Sequence, residues 1–184
     1  MLASPDMSDP LPVFLYHPNP MATGAVEEKD TACVCCGESN GFIYVGPVYS
    51  VRELHNSICP WCIANGSAAR TLEASFTDDS PLIKAGLDSA IVEEVSLRTP
   101  GYTAWQQEAW LSHCHDACEF QGYATVSDVR TASRETKQHW MREYNLDEET
   151  WLAITEGYRP GGDSAVYKFK CRHCQLVLFG WDVS

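Results

Sequence analysis

The chain is short of positive charge. It sets 13 lysines and arginines against 25 acidic residues, a net of −12 over 184 residues. A field of that sign repels a phosphate backbone, so nucleic acid is not the expected partner and a basic protein is. The opening Met-Leu-Ala-Ser-Pro-Asp-Met carries neither a basic n-region nor an apolar h-region, so no secretion signal is expected. No apolar run approaches the roughly 20 residues that span a bilayer, which leaves no membrane partner. Walker loop, dinucleotide fingerprint, G-x-S-x-G elbow and H-E-x-x-H are all missing, and there are no repeats or low-complexity tracts. These absences set the expectation of a cytoplasmic protein that is not an enzyme.

What the chain does have is cysteine, nine in all. Where thiols stay reduced, C-x-x-C pairs bind metal in preference to forming disulfides, and an odd count points the same way. Cys33 and Cys36, followed by Gly37, form one such knuckle, and Cys59 and Cys62 form a second. Two knuckles present four thiolates at the corners of a tetrahedron, which suits a structural Zn²⁺. A third knuckle, Cys171 and Cys174, needs two partners, and Cys114 and Cys118 are available. With residues 102–118 read as a helix, these two stand four apart and project from one face. The assignment is therefore two structural zinc ions. One is held by Cys33, Cys36, Cys59 and Cys62, the other by Cys114, Cys118, Cys171 and Cys174, with Cys35 spare. His113 and His115 fall at the surface or beside the metal, and Cys174 makes a ligand role for His173 unnecessary. Each closed site is expected to contribute on the order of 10 kcal/mol to folding.

The fold class expected is α+β: a compact domain around two zinc-ribbon or treble-clef-like four-cysteine sites, with short antiparallel strands and three to four helices. A flexible lead occupies residues 1–10. One domain fills residues 11–184, with a knuckle part at 11–75 and a helical and hairpin part at 90–184. Short strands are read at 11–16, 41–45 and 120–126, and helices at 63–72, 128–144 and 147–158, the last capped by Asn145. Residues 76–88, rich in Asp, Ser, Pro and Gly, read as an exposed connector. The third knuckle is the turn of a terminal hairpin, 165–170 with 175–181. Six Trp and eight Tyr predict an aromatic core or binding face.

Several blocks resemble the bacterial CbrC family: Leu11-Pro12 with Tyr16-His17-Pro18, Gly46-Pro47-Val48-Tyr49, residues 59–69, residues 98–118 and the closing Cys171-x-x-Cys174. The resemblance implies a non-secreted bacterial protein associated with colicin tolerance. Joined to the charge, it yields the expectation of a non-catalytic immunity protein that neutralises a protein toxin with a basic surface, such as a nuclease. Candidate acidic contact points are Glu27-Glu28-Asp30, Asp78-Asp79, Glu93-Glu94 and Asp147-Glu148-Glu149, with Trp151 or Tyr158 as an aromatic anchor. The competing readings are a thiol oxidoreductase using Cys59 and Cys62, a zinc hydrolase with an open metal position, and an adaptor sensing zinc or redox state through Cys35.

Overall fold

The structure, a computed structural model, describes residues 10–183. The expected flexible lead lies, Pro10 apart, outside the described residues. The α+β class is what the chain adopts: short antiparallel strands and, among the described residues, seven helices, most of only one or two turns.

The N-terminal part holds β1 (Val26–Glu28) antiparallel to β2 (Phe42–Tyr44), then α1 (Pro60–Ala64) and α2 (Ser67–Leu72). Pro60 stands in the first turn of α1, where its missing N–H costs nothing, and the left-handed Gly66 breaks α1 from α2. Next come α3 (Ser80–Lys84) and α4 (Ser89–Arg98). The stretch read as an exposed connector is instead anchored. Phe76 and Leu82 are fully buried, and their apolar side chains outweigh the loop-like composition around them.

The C-terminal part is built on a three-stranded sheet. A two-residue hairpin, β3 (Ser112–His113) with β4 (Asp116–Ala117), leads into β5 (Glu119–Tyr123). Helices α5 (Val126–Arg130), α6 (Arg134–Tyr144) and α7 (Glu148–Thr155) follow, then β6 (Ser164–Lys170) and β7 (Val177–Val183). β6 is central, antiparallel to both neighbours. Its alternation sorts the two faces. Ala165, Tyr167 and Phe169 join Leu178, Phe120, Tyr102 and Trp110 on one side. Val166 joins Phe179, Trp140, Trp151 and Tyr158 under α6 and α7 on the other. Trp151 and Tyr158 are thus core residues and not the exposed anchor considered from sequence.

Three local expectations change. Residues 11–16 form no strand, though Tyr16 accepts one backbone bond from Phe120 at 2.8 Å. Asn145 ends α6 in the left-handed region, and Asp147 caps α7 by accepting the Thr150 N–H at 2.9 Å. Residues 102–118 are not a helix. They run irregularly to the β3–β4 hairpin, which lets Tyr102 and Trp110 enter the same core. Gln106 on this path donates its N–H to Asp182, and buried Glu108 accepts from Tyr49 and the Asp78 N–H. Those side chains replace the bonds a helix would have made.

The two parts meet tightly at Gly101, whose N–H donates to the Tyr44 hydroxyl at 3.1 Å. A Cβ there would stand 1.8 Å from the Phe76 carbonyl oxygen. Gly101→Ala is therefore expected to cost about 3 kcal/mol in urea unfolding, the upper range of overpacking. An unchanged midpoint would show that the two parts separate easily.

Candidate metal centres

The first centre is assembled from two backbone turns. After β1 the chain makes a knuckle in which the Cys33 carbonyl accepts the Gly37 N–H at 2.7 Å. Gly37 is at φ +80°, a conformation glycine adopts freely. Cys59 stands at the N-cap of α1, so Cys62 returns one turn later beside it. The knuckles are tied by Val34 N–H to Ser57 O at 2.8 Å, and the second is held to β2 by Tyr44 N–H to Ile58 O at 2.9 Å. Cys33, Cys36, Cys59 and Cys62 then bring four sulfurs within 4.8 Å of one another.

Their spacing fits a tetrahedral ion. Cys33 Sγ lies 3.9 Å from Cys62 Sγ, and Cys36 Sγ lies 3.9 Å from Cys59 Sγ. Zinc–sulfur bonds of about 2.3 Å would set tetrahedral neighbours about 3.8 Å apart, whereas a disulfide needs about 2 Å. All the cysteines are free. The Cys59 and Cys35 N–H groups both point at Cys33 Sγ, at 3.2 and 3.4 Å. The Cys59 thiol above all, then the N–H groups of Cys59, Cys36 and Cys35, lower the Cys33 thiol to about 4 against its burial. Cys59 is pushed up, first by its bond to Cys33 and then by burial, and burial raises Cys62 to about 12. The bond to Cys33 and burial thus oppose ionising Cys59, burial opposes ionising Cys62, and a divalent cation is what lets the sulfurs of the group ionise side by side. Cys35 turns away, 3.4 Å from both Ser67 Oγ and Thr71 Oγ1, and is not a member.

The second centre differs from the sequence assignment in one ligand. Cys114, Cys171 and Cys174 come together as expected, but the fourth donor is His113. Its Nδ1 lies 3.2 Å from Cys114 Sγ and 3.4 Å from Cys174 Sγ, near the roughly 3.5 Å between nitrogen and sulfur on a tetrahedral zinc. Cys118 is outside the group and takes no part. It is fully buried in the aromatic core, and burial first, then the neighbouring Cys171, Asp116, Cys174 and Cys114, raises its thiol. The reason is the missing helix. In a helix His113 and Cys114 would diverge, but here Cys114 and His115 occupy the left-handed region at φ 52° and 58°. The turn brings the His113 ring and the Cys114 thiol to the same point, and Cys118 has by then re-entered the core.

Asp116, given no role from sequence, locks this turn to the third knuckle. It accepts from the Tyr16 hydroxyl at 2.7 Å, Arg172 at 2.7 Å and His173 Nε2 at 2.9 Å. Burial raises its carboxyl, but these partners outweigh it and hold the pKa below the usual carboxylate value. Arg172 also lies over the Tyr16 ring, 5.2 Å from its centroid. His173 is therefore occupied with Asp116, and neither it nor His115 belongs to the donor group.

Both donor sets suit a borderline-soft ion such as zinc. Two zinc ions per chain are expected by elemental analysis, one remaining in His113→Ala and both in Cys118→Ala. Loss of a metal from Cys118→Ala would restore the four-cysteine assignment.

Residues 11–183 match a family model described as "Uncharacterised protein family (UPF0167)". UPF0167 protein PA1536 of Pseudomonas aeruginosa is 48% identical over 177 residues, covering 96% of this chain and 99% of that one. UPF0167 proteins Mb2317 of Mycobacterium bovis and MT2352 of Mycobacterium tuberculosis are each 37% identical over 170 residues, covering 91% of both chains. No solved structure matches. Neither the family model nor these relatives carry the CbrC name, so the resemblance drawn from sequence blocks is corrected. The chain belongs to the uncharacterised family UPF0167.

Proposed function

We propose that this chain is a non-catalytic binding protein of the bacterial cytoplasm, held together by two structural zinc ions, whose partner is a basic protein. The observation that carries the reading is that each centre supplies four donors, and four donors close a tetrahedral ion. A closed ion has no position for an activated water, which weighs against the zinc hydrolase reading. Cys59 and Cys62 stand in the first donor set, so thiol redox work would have to dismantle it.

With the metals committed to the fold, function falls to the surface, and the surface is acidic. A net charge of −12 speeds encounter with a basic partner. A protein toxin such as a nuclease is one such partner. The charge supports it, whereas the CbrC resemblance that first suggested tolerance no longer does. Among the described residues no helix is long and apolar enough to cross a membrane.

The best-formed acidic face is on α7. Glu148, Leu152 and Glu156 are exposed at four-residue spacing, with Glu149 and the capping Asp147 beside them. Leu152, 58% exposed, supplies the apolar contact that buried Trp151 cannot.

Association with a basic partner captured from the native host should slow by about ten-fold or more between 0.1 M and 1 M salt, as the Debye length falls from about 10 to about 3 Å. Glu148→Lys with Glu149→Lys should slow it at low salt. A rate indifferent to salt and charge reversal would remove the electrostatic reading.

A further inference from the structure

The two centres are built to hold their ions differently. In the first, Cys33, Cys59 and Cys62 are 1%, 1% and 4% exposed, and only Cys36 reaches solvent. These three cysteines belong to the apolar cluster of the N-terminal part. The elements around them are strands of three residues and helices of five and six, too short to persist without tertiary support. Removing that ion would leave a cluster of buried thiols at the middle of a core.

In the second, Cys114 and Cys174 are both exposed and His113 is half-buried, so two metal–sulfur bonds face solvent. Two successive non-glycine residues, Cys114 and His115, must be held in the left-handed region, a strain that weakens the site. The hairpin and the knuckle are also joined without the ion. Asp116 binds Tyr16, Arg172 and His173, Cys118 N–H donates to Leu111 O at 2.9 Å, and Trp110 Nε1 donates to Cys118 O at 2.8 Å. Trp110, Phe120 and Phe169 are buried together in the same aromatic cluster.

We propose that the centre formed by His113, Cys114, Cys171 and Cys174 is an exchangeable zinc site, one that gives up and regains its ion at a thiol-bearing acceptor while the first centre stays loaded. The inference rests on the two-metal reading above. The step is ligand substitution with no redox change. Three acceptor thiolates approach on the exposed Cys114–Cys174 side, and each of the three metal–sulfur bonds broken is replaced by one to an acceptor sulfur. The metal–nitrogen bond to His113 is replaced by one to a neutral donor, an acceptor imidazole or a water. The freed cysteine sulfurs take up the protons that the acceptor's thiols release, and His113 leaves as neutral imidazole. The site thereby becomes zinc-responsive while the hairpin and the knuckle stay joined through Asp116 as the ion leaves.

The test mixes the two-zinc protein with pyridylazoresorcinol, a chromogenic chelator, and follows release, circular dichroism and thiol alkylation together. One equivalent should leave at least about ten-fold faster than the other, the scale on which metal-site surroundings alter binding. Circular dichroism should be unchanged after the fast phase and collapse with the slow one. Alkylation with a maleimide after the fast phase should label Cys114 and Cys174 and spare Cys33, Cys59 and Cys62. Cys114→Ser should lack the fast phase. Where that variant does not fold, the labelling of wild type decides. Release of both equivalents at one rate, a fast phase that labels Cys33, Cys59 or Cys62, or unfolding with the fast phase would overturn the proposal. A starting protein that carries one zinc or none would instead overturn the two-metal reading itself.

Discussion

Four sulfurs 3.9 Å apart along paired edges, three of them buried in the core, can ionise together only around a cation. That constraint organises the N-terminal part. β1 and β2 pair over three residues each, and α1 is a single turn and a half, so none of them is a folding unit alone. An ion held by the four cysteines would join the knuckle after β1 to the N-cap of α1. The buried Cys33, Cys59 and Cys62 then serve as core residues and ligands at once.

The C-terminal part meets the same problem with a different balance. Its sheet is buried on both faces, so packing carries most of the order, and the second centre sits at the rim where two turns converge. There a buried carboxylate, Asp116, does part of the joining that the first centre leaves to metal. His17 shows how fully polar groups are used in this core. It bonds Pro100 O at 2.7 Å and Thr23 Oγ1 at 2.6 Å, and burial lowers its pKa to about 4, so it is neutral at pH 7. Protonation favours the unfolded chain between pH about 6.5 and 4, and stability from this group falls across that window on acidification.

The first centre was legible in the sequence because C-x-x-C spacing fixes its own local geometry, down to Cys33 and Cys36 in preference to Cys35. The terminal hairpin and α7 were legible for a similar reason: alternation and a run of acids at a helix start are short-range signals. Residues 102–118 were not. Their aromatic spacing fits a helical period, but the stretch is shaped by distant partners, with Glu108 fixed by Tyr49 and Gln106 by Asp182. The signal that was available is the polar run His113-Cys114-His115-Asp116 set between Trp110-Leu111 and Phe120. It marks a turn between buried flanks, and a turn allows adjacent His and Cys to share a metal. Phe76 and Leu82 were hidden likewise by loop-like neighbours, since burial is a property of the assembled core.

The most direct test of two metals held by two unlike donor sets is X-ray absorption at the zinc edge of the purified protein. Sulfur and nitrogen neighbours in a ratio of seven to one, with no oxygen, are what the four-cysteine group and the group of His113 with Cys114, Cys171 and Cys174 together predict. A pure sulfur shell would return Cys118 to the second site, and an oxygen neighbour would show an open, water-bearing metal and contradict the structural role assigned to both ions.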